Sequence, residues 1–227
     1  MYTIFMSKPW IYPAVPESLA RVFEARGMPV KHPKGVVLAH GGENGTVSLI
    51  KKGLVTFGYM DAAENYQVLS ILLPGRLAGD MDVLEPTPYR IIVQTLKPIE
   101  LLTISRDEWL RHLRGSVEMM ETYTRLANRC HQSVMDGMIA NYTRPLEQRL
   151  RTLILSLITE HYAVKPSDWN PCPVTLSVTD LAQIVSASRS WVSRTLSAWI
   201  EEGMARKDGR LLFFRGELFR DLIDERG

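Results

Sequence analysis

In the first half of the chain apolar residues come in short, dense runs rather than at helical spacing. Between Met28 and Ile104 the runs Val36–Leu38, Thr46–Ile50, Leu54–Tyr59, Tyr66–Leu72, Ile91–Thr95 and Glu100–Ile104 are parted by Gly, Pro, Asn and Asp. That rhythm predicts an antiparallel, double-sheeted β-roll of the jelly-roll type, with an interior that can hold a small ligand. Ahead of it lie a proline-punctuated lead (Pro9, Pro13, Pro16) and a short amphipathic helix over 16–26, with Leu19, Val22 and Phe23 on one side and Gly27 as its stop. After the roll the period changes, and Ser105 to Ile139 reads as one long helix. Val117, Met120, Thr124, Ala127, His131, Val134 and Met138 alternate by three and four along it, the pattern of a dimer seam. A second row, Met119, Tyr123, Leu126 and Cys130, is expected to pack onto the roll. The run Asn141 to Pro145 reads as a hinge, and Leu146, Leu150, Leu153, Ile154 and Leu157 line a helix beyond it. The expected class is α+β: a helix and effector-type roll over 1–104, a dimerisation helix over 105–140, a hinge over 141–144, and a winged helix-turn-helix over 145–227.

The pattern inside that last segment is the most specific in the chain. Ser177 and Asp180 are placed as a capping box, so a helix starts there with Leu181, Ala182 and Val185 as its apolar face. The triplet 186–188 interrupts it. Ser188 can cap a second helix whose apolar side is Val192, Leu196, Trp199 and Ile200. Arg189, Ser190, Ser193, Arg194 and Ser197 then share the opposite face. Arginine can donate two parallel hydrogen bonds to guanine in the major groove, and short hydroxyls reach bases or phosphates without blocking close approach. Beyond Gly203, the Asp208-Gly209 pair between extended runs predicts a hairpin with a type I′ turn, a wing with Arg206, Lys207 and Arg210 at its tip near phosphates or a minor groove.

Over nearly its whole length the chain resembles the CRP/FNR family of bacterial transcription regulators. The family's recognition segment, approximately S-R-E-T-V-S-R-x-L, is matched by Ser188 to Leu196, and both arginines fall on base-reading positions. Ser190 stands where the family has a glutamate that accepts from cytosine, which implies a different half-site. Ser186 stands where the family's turn commonly has glycine and so implies a left-handed conformation, at a cost of about 1 kcal/mol. Trp191 replaces a small residue and can pack either along the DNA backbone or against the wing. The resemblance also implies a symmetric dimer on a two-fold operator of double-stranded DNA. For cyclic-nucleotide-binding members it implies a Gly-Glu pair followed, eleven residues after the glycine, by Arg-Ser or Arg-Thr. Here Gly79-Asp80 precedes Arg90 at that spacing, but Ile91 follows the arginine. Val134 and Met135 fall where cAMP-binding members place polar groups against the purine. A phosphate needs convergent donors, so these apolar substitutions argue against cAMP and leave a less polar effector, or none. Arg90 can equally form a structural ion pair with Asp80 or Asp82.

Composition adds limits. An apolar content of 45%, a charge content of 23% and a net charge of +2 over 227 residues describe a globular chain that is not generally polycationic. Between Ser186 and Arg215, however, six Arg or Lys face three acids. No apolar run approaches about 18 residues and no signal segment opens the sequence, so the expectation is a cytoplasmic protein with no membrane partner. The only cysteines, Cys130 and Cys172, are too few for the clustered ligands of the family's iron-sulfur members, and no cofactor is expected. His32, His40 and His131 have no companions at metal-ligand spacing. Neither a G-x-S-x-G elbow, a P-loop nor a Gly-rich dinucleotide turn is present, so an enzyme is not expected. An activator would additionally need a surface for RNA polymerase, which the sequence does not single out. The reading of a different class is a protein-interaction module whose helix-turn-helix has lost DNA binding.

Overall fold

A computed structural model describes residues 5, 7–40, 45–62, 64, 66–81, 83–84, 91–162 and 168–224. They pack as two compact units, Ile11–Val134 and a second made of Met1–Trp10 with Met135–Gly227.

The first unit opens with α1 (Glu17–Arg26), which buries Leu19 and Phe23, the apolar positions of its amphipathic face. Eight strands follow: β1 (Met28–His32), β2 (Val37–His40), β3 (Thr46–Lys52), β4 (Val55–Met60), β5 (Tyr66–Leu72), β6 (Leu77–Ala78), β7 (Ile91–Thr95) and β8 (Ile99–Ser105). They form two antiparallel four-stranded sheets, β1-β8-β3-β6 and β2-β7-β4-β5. One core joins them, with Val47, Ile50, Leu101 and Ile104 from the first sheet and Val55, Phe57, Leu72 and Val93 from the second. The expected double-sheeted roll is therefore present, and β1 and β6 are strands that the apolar runs did not disclose. Met28 and Val30 are not buried, and β6 is only two residues long, so neither leaves a hydrophobic signature.

Residues 105–140 do not form one helix. The segment divides into α2 (Arg106–Arg114) and α3 (Val117–Thr143). Ser105 caps the first through Glu108 N–H, Gly115 closes it, and the Ser116 hydroxyl accepts from Met119 N–H to begin the second. The Gly-Ser pair carries the break. An aromatic chain ties these helices to α1: Phe23 and Trp109 rings lie 5.2 Å apart, and Trp109 meets Tyr123 edge-on at 5.7 Å. Tyr123, Leu126 and Cys130 are buried in the roll's core, as expected of the second row.

Helix α3 runs on through Thr143, across most of the 141–144 segment expected as a hinge. Helix breaking waits for Pro145, which leads into α4 (Leu146–His161). The Arg144 carbonyl at the corner accepts a 2.7 Å hydrogen bond from Arg149 Nε.

Residues 1–104 are likewise not one piece. Phe5, Ser7, Lys8 and Trp10 meet the far end of α3 and α4. Ser7 donates to Asp136 through its amide (2.7 Å) and its hydroxyl (2.6 Å). Lys8 Nζ binds Glu160 at 2.6 Å and the Thr159 carbonyl at 2.9 Å, while the Arg144 guanidinium lies 4.9 Å from the Phe5 ring centre. Trp10 is fully buried in a left-handed conformation, φ +62°, with its indole on Gly137. Ring burial outweighs that backbone cost, since removing such a ring costs about 3–5 kcal/mol and the conformation about 1–2.

The second unit continues with β9 (Trp169–Pro171), α5 (Val178–Ile184), α6 (Arg189–Glu201), β10 (Ala205–Asp208), β11 (Leu211–Arg215), a 3-10 turn at Gly216–Phe219 and α7 (Arg220–Asp224). The strands form a sheet in the order β10-β11-β9. The β9 segment is held by Asn170, whose buried side-chain amide donates to the carbonyls of Asp168 and Phe214. Among the described residues no helix is long and apolar enough to cross a membrane.

Two expectations follow. A Cβ at Gly137 would sit 2.7 Å from Trp10 Cδ1, so Gly137→Ala should lower the stability of the second unit by about 1–3 kcal/mol in calorimetry. An unchanged transition would mean that Trp10 is not seated there. Burial pushes the Cys172 thiol up to about 11, and burial followed by the charge of Asp80 raises that of Cys130 further. Both should resist alkylation at neutral pH in the native protein and react after denaturation.

Candidate DNA interface

The capping box forms as the spacing predicts: Ser177 Oγ accepts from Asp180 N–H at 3.2 Å, and the Asp180 carboxylate accepts from Ser177 N–H at 2.8 Å. With both donors satisfied, α5 buries Leu181, Ala182 and Ile184. The helix closes on Val185, and Ser186 adopts φ +51°. The Ala187 amide then reaches back to the Ala182 carbonyl at 2.9 Å, the six-to-one bond of a Schellman turn. Ser188 caps α6 by accepting from Trp191 N–H at 3.2 Å.

Helix α6 divides its faces cleanly. Val192, Leu196 and Trp199 are buried, whereas Arg189, Ser190, Ser193, Arg194 and Ser197 are all exposed. Trp191 is half-buried. Ile200, expected on the apolar side, is 45% exposed because it lies about 100° around the helix from Trp199. The exposed row presents two guanidinium groups and three hydroxyls, with no acid among them.

The wing is the β10–β11 hairpin, in which Asp208 pairs with Leu211. The two loop residues are therefore Gly209 and Arg210, not Asp208 and Gly209 as expected. Only Gly209 has positive φ, +57°, which suits a type II′ rather than a type I′ turn because II′ needs glycine first. Phe214 and Ala205 line the buried face, where Phe214 meets Trp199 of α6 edge-on at 6.3 Å. Lys207 and Arg210 are exposed at the tip. Arg206 lies back from it, its guanidinium 4.8 Å from the Trp169 ring and 4.9 Å from Phe213, and Arg215 stacks on Trp169 at 4.7 Å. Stacked guanidinium groups keep their N–H edges free for oxygen acceptors. Trp169 was outside the residues singled out in the sequence. The alternation of half-buried Trp169, buried Asn170 and half-buried Pro171 is the strand signal there, too short to stand out.

The effector candidates are placed as follows. Gly79 lies in a turn at φ +81°, and Asp80 beside it is buried, its carbonyl accepting a 2.5 Å hydrogen bond from the Tyr123 hydroxyl. Ile91 and Val134 are half-buried, and Met135 is 59% exposed. Arg90 and Asp82 lie outside the described residues, as does the side chain of His40. Among the described residues no group of His, Cys, Asp and Glu could hold a metal ion. Along the expected seam Val117, Thr124, His131 and Met138 are exposed, and Met120, Ala127 and Val134 are half-buried. The Thr124 hydroxyl donates to the Met120 carbonyl at 2.8 Å, so its polar group is satisfied within the helix. An apolar groove of about 480 Å³ beside it is lined by Leu113, Val117, Met120 and Thr124 among others.

Residues 29–116 match the cyclic nucleotide-binding domain family, and residues 148–215 the Crp-like helix-turn-helix domain family. The chain is 20% identical, over 90% of its length and 92% of the relative's, to a CRP-like cAMP-activated global transcriptional regulator of Mycobacterium tuberculosis. Its fold is shared with a CooA mutant from Carboxydothermus hydrogenoformans (TM-score 0.71, 14% identity, 94% and 96% of the two chains). It is also shared with CLP of Xanthomonas campestris, described as a c-di-GMP responsive global regulator (TM-score 0.65, 17% identity, 88% and 99%). With both domains matched in order, and a relative alike over both, the chain belongs to the CRP/FNR family of DNA-binding transcription regulators.

Proposed function

We propose that this regulator works as a homodimer in which α6 of each subunit enters the major groove of a two-fold operator. Arg189 and Arg194 read bases there, Ser188, Ser190, Ser193 and Ser197 contact bases or phosphates, and Trp191 packs beside them. Lys207, Arg210 and the stacked Arg206 hold the flanking backbone. The observation that carries this reading is the division of α6 into a buried apolar side and an exposed side of arginines and hydroxyls. Pairing through α3 is supported by the row from Val117 to Met138, in which no residue is fully buried and which is more apolar than a solvated helix face requires, and by the groove beside it. Two identical reading heads on one dyad account for recognition of paired half-sites one helical turn apart.

The roll is read as a sensor for something other than cAMP, or as a scaffold. The cAMP reading draws support from the matched domain and from the mycobacterial relative. Against it, Ile91 stands where a hydroxyl would meet the phosphate, and Val134 and Met135 where polar groups would meet the purine. An effector acts by binding the DNA-competent arrangement more tightly than the other, and apolar side chains at these three positions call for a ligand of matching polarity.

Three measurements test these statements. Arg189→Ala and Arg194→Ala should each weaken binding to a duplex selected from a random pool by about 1–3 kcal/mol, while the thermal transition stays in place. Retained affinity would favour an interaction module instead. Light scattering after size exclusion should give twice the 25.8 kDa chain mass, and Met120→Glu should shift it toward one chain and weaken DNA binding. A monomeric unaltered protein sinks the seam. Millimolar cAMP should leave the melting temperature unchanged, whereas a site a hundredfold tighter than the ligand concentration would add about 2.7 kcal/mol and raise it by several degrees.

A further inference from the structure

We infer that Asn141, in the last turn of α3, is a positioning residue for DNA reading: it sets the turn that aims the recognition helix. Its side-chain amide Nδ2 donates to the Ile184 carbonyl at 3.4 Å and to Ser186 Oγ at 3.3 Å. These two acceptors are what a short helix ending in a left-handed serine leaves over. Helix α5 has only seven residues, and its last carbonyls lack partners within the helix. The Val185 and Ala187 amides take up Leu181 and Ala182, and the carbonyl of fully buried Ile184 is served by Asn141. Ser186 itself, φ +51°, holds a conformation that disfavours a residue with a Cβ by about fivefold, or about 1 kcal/mol, relative to glycine. A donor on its hydroxyl offsets that preference. The other amide atom, Asn141 Oδ1, is buried without a hydrogen-bond partner, so the side chain is oriented by its donor end.

The angle between α5 and α6 is thus held from outside the two-helix motif, by the helix that also carries the seam row. A movement of the last turn of α3 withdraws the donor, frees Ser186 to leave the left-handed region and tilts the exposed arginines of α6. The inference rests on the reading of α6 as the recognition helix.

The test is a two-by-two set, Asn141→Ala, Ser186→Gly and both together, titrated by fluorescence anisotropy against a 40-base-pair duplex enriched from a randomised pool by the unaltered protein. Asn141→Ala should weaken binding about fivefold, Ser186→Gly should bind at least as tightly as the unaltered protein, and the double variant should bind more tightly than Asn141→Ala alone by about twofold or more, because glycine needs no external donor to stay left-handed while the Ile184 carbonyl still lacks its donor. Should Asn141→Ala fail to fold, Asn141→Asp, which keeps the shape and removes the donor, takes its place in the set. No loss in the single variant, or a loss that Ser186→Gly does not lessen, overturns the inference. Arg189→Ala with Arg194→Ala, run beside the set, separates the two levels: full affinity there removes the reading of α6, whereas lost affinity with an inert Asn141 removes only the positioning role.

Discussion

A helix of 27 residues that is apolar on two sides cannot bury both against a single roll, and the rest of this molecule is arranged around that constraint. One row of α3, Tyr123, Leu126 and Cys130, completes the roll's core and is joined to it by the ring contact with Trp109 and by the Tyr123 hydroxyl on the Asp80 carbonyl. The other row is left with Val117 79% and Met138 45% exposed in the single chain. Hydration of that row costs the single chain free energy, which the proposed pairing with a second copy of the helix would remove. Past Val134 the same helix changes function, and its residues serve the second unit: Asp136 and Gly137 receive Ser7 and Trp10, and Asn141 reaches the turn between α5 and α6.

The reading head is built on a similar economy. Its two short helices have little core of their own, and the wing supplies much of it, with Phe214 against Trp199 on one side and Phe219 on the other. The opposite face of that sheet carries Trp169 with Arg206 and Arg215 on it. Cation–π contacts of this kind contribute about 0.5–1 kcal/mol each at exposed sites, enough to orient a guanidinium but not to compete with a phosphate for it. Arginines so held lose less freedom when an anion arrives.

Much of this was legible in the sequence because the physics that sets it is local. The capping box, the Ser188 cap and the face of α6 all depend on residues within a few positions of one another, whereas the left-handed Ser186 was implied only by the resemblance and receives a hydrogen bond from Asn141, 45 residues away. The six strong strands announced themselves by apolar runs. The features that escaped depend on distant or very short pieces. The β1 and β6 strands bury too little, β9 is three residues long, and the hairpin register was settled by pairing across the sheet, which shifted the turn by one residue to Gly209 and Arg210. The break at Gly115-Ser116 carries a glycine and a cap, but Leu110, Leu113, Val117 and Met120 keep helical spacing across it, and that continuity hides the break. The partners of Phe5, Ser7, Lys8 and Trp10 could not be named, since they lie from 152 residues away, for Lys8 and Glu160, down to 127, for Trp10 and Gly137.

That last separation orders events in time. Trp10 leaves the ribosome ahead of the roll, but the glycine it covers is made only after some 125 further residues, about 6–25 seconds later at ordinary rates of synthesis. During that interval a tryptophan destined for complete burial has no seat, while the roll that follows it in the chain can already close. The second unit is therefore the first begun and the last finished, and its assembly has to gather the two far ends of the described chain before its reading helices rest on a completed base.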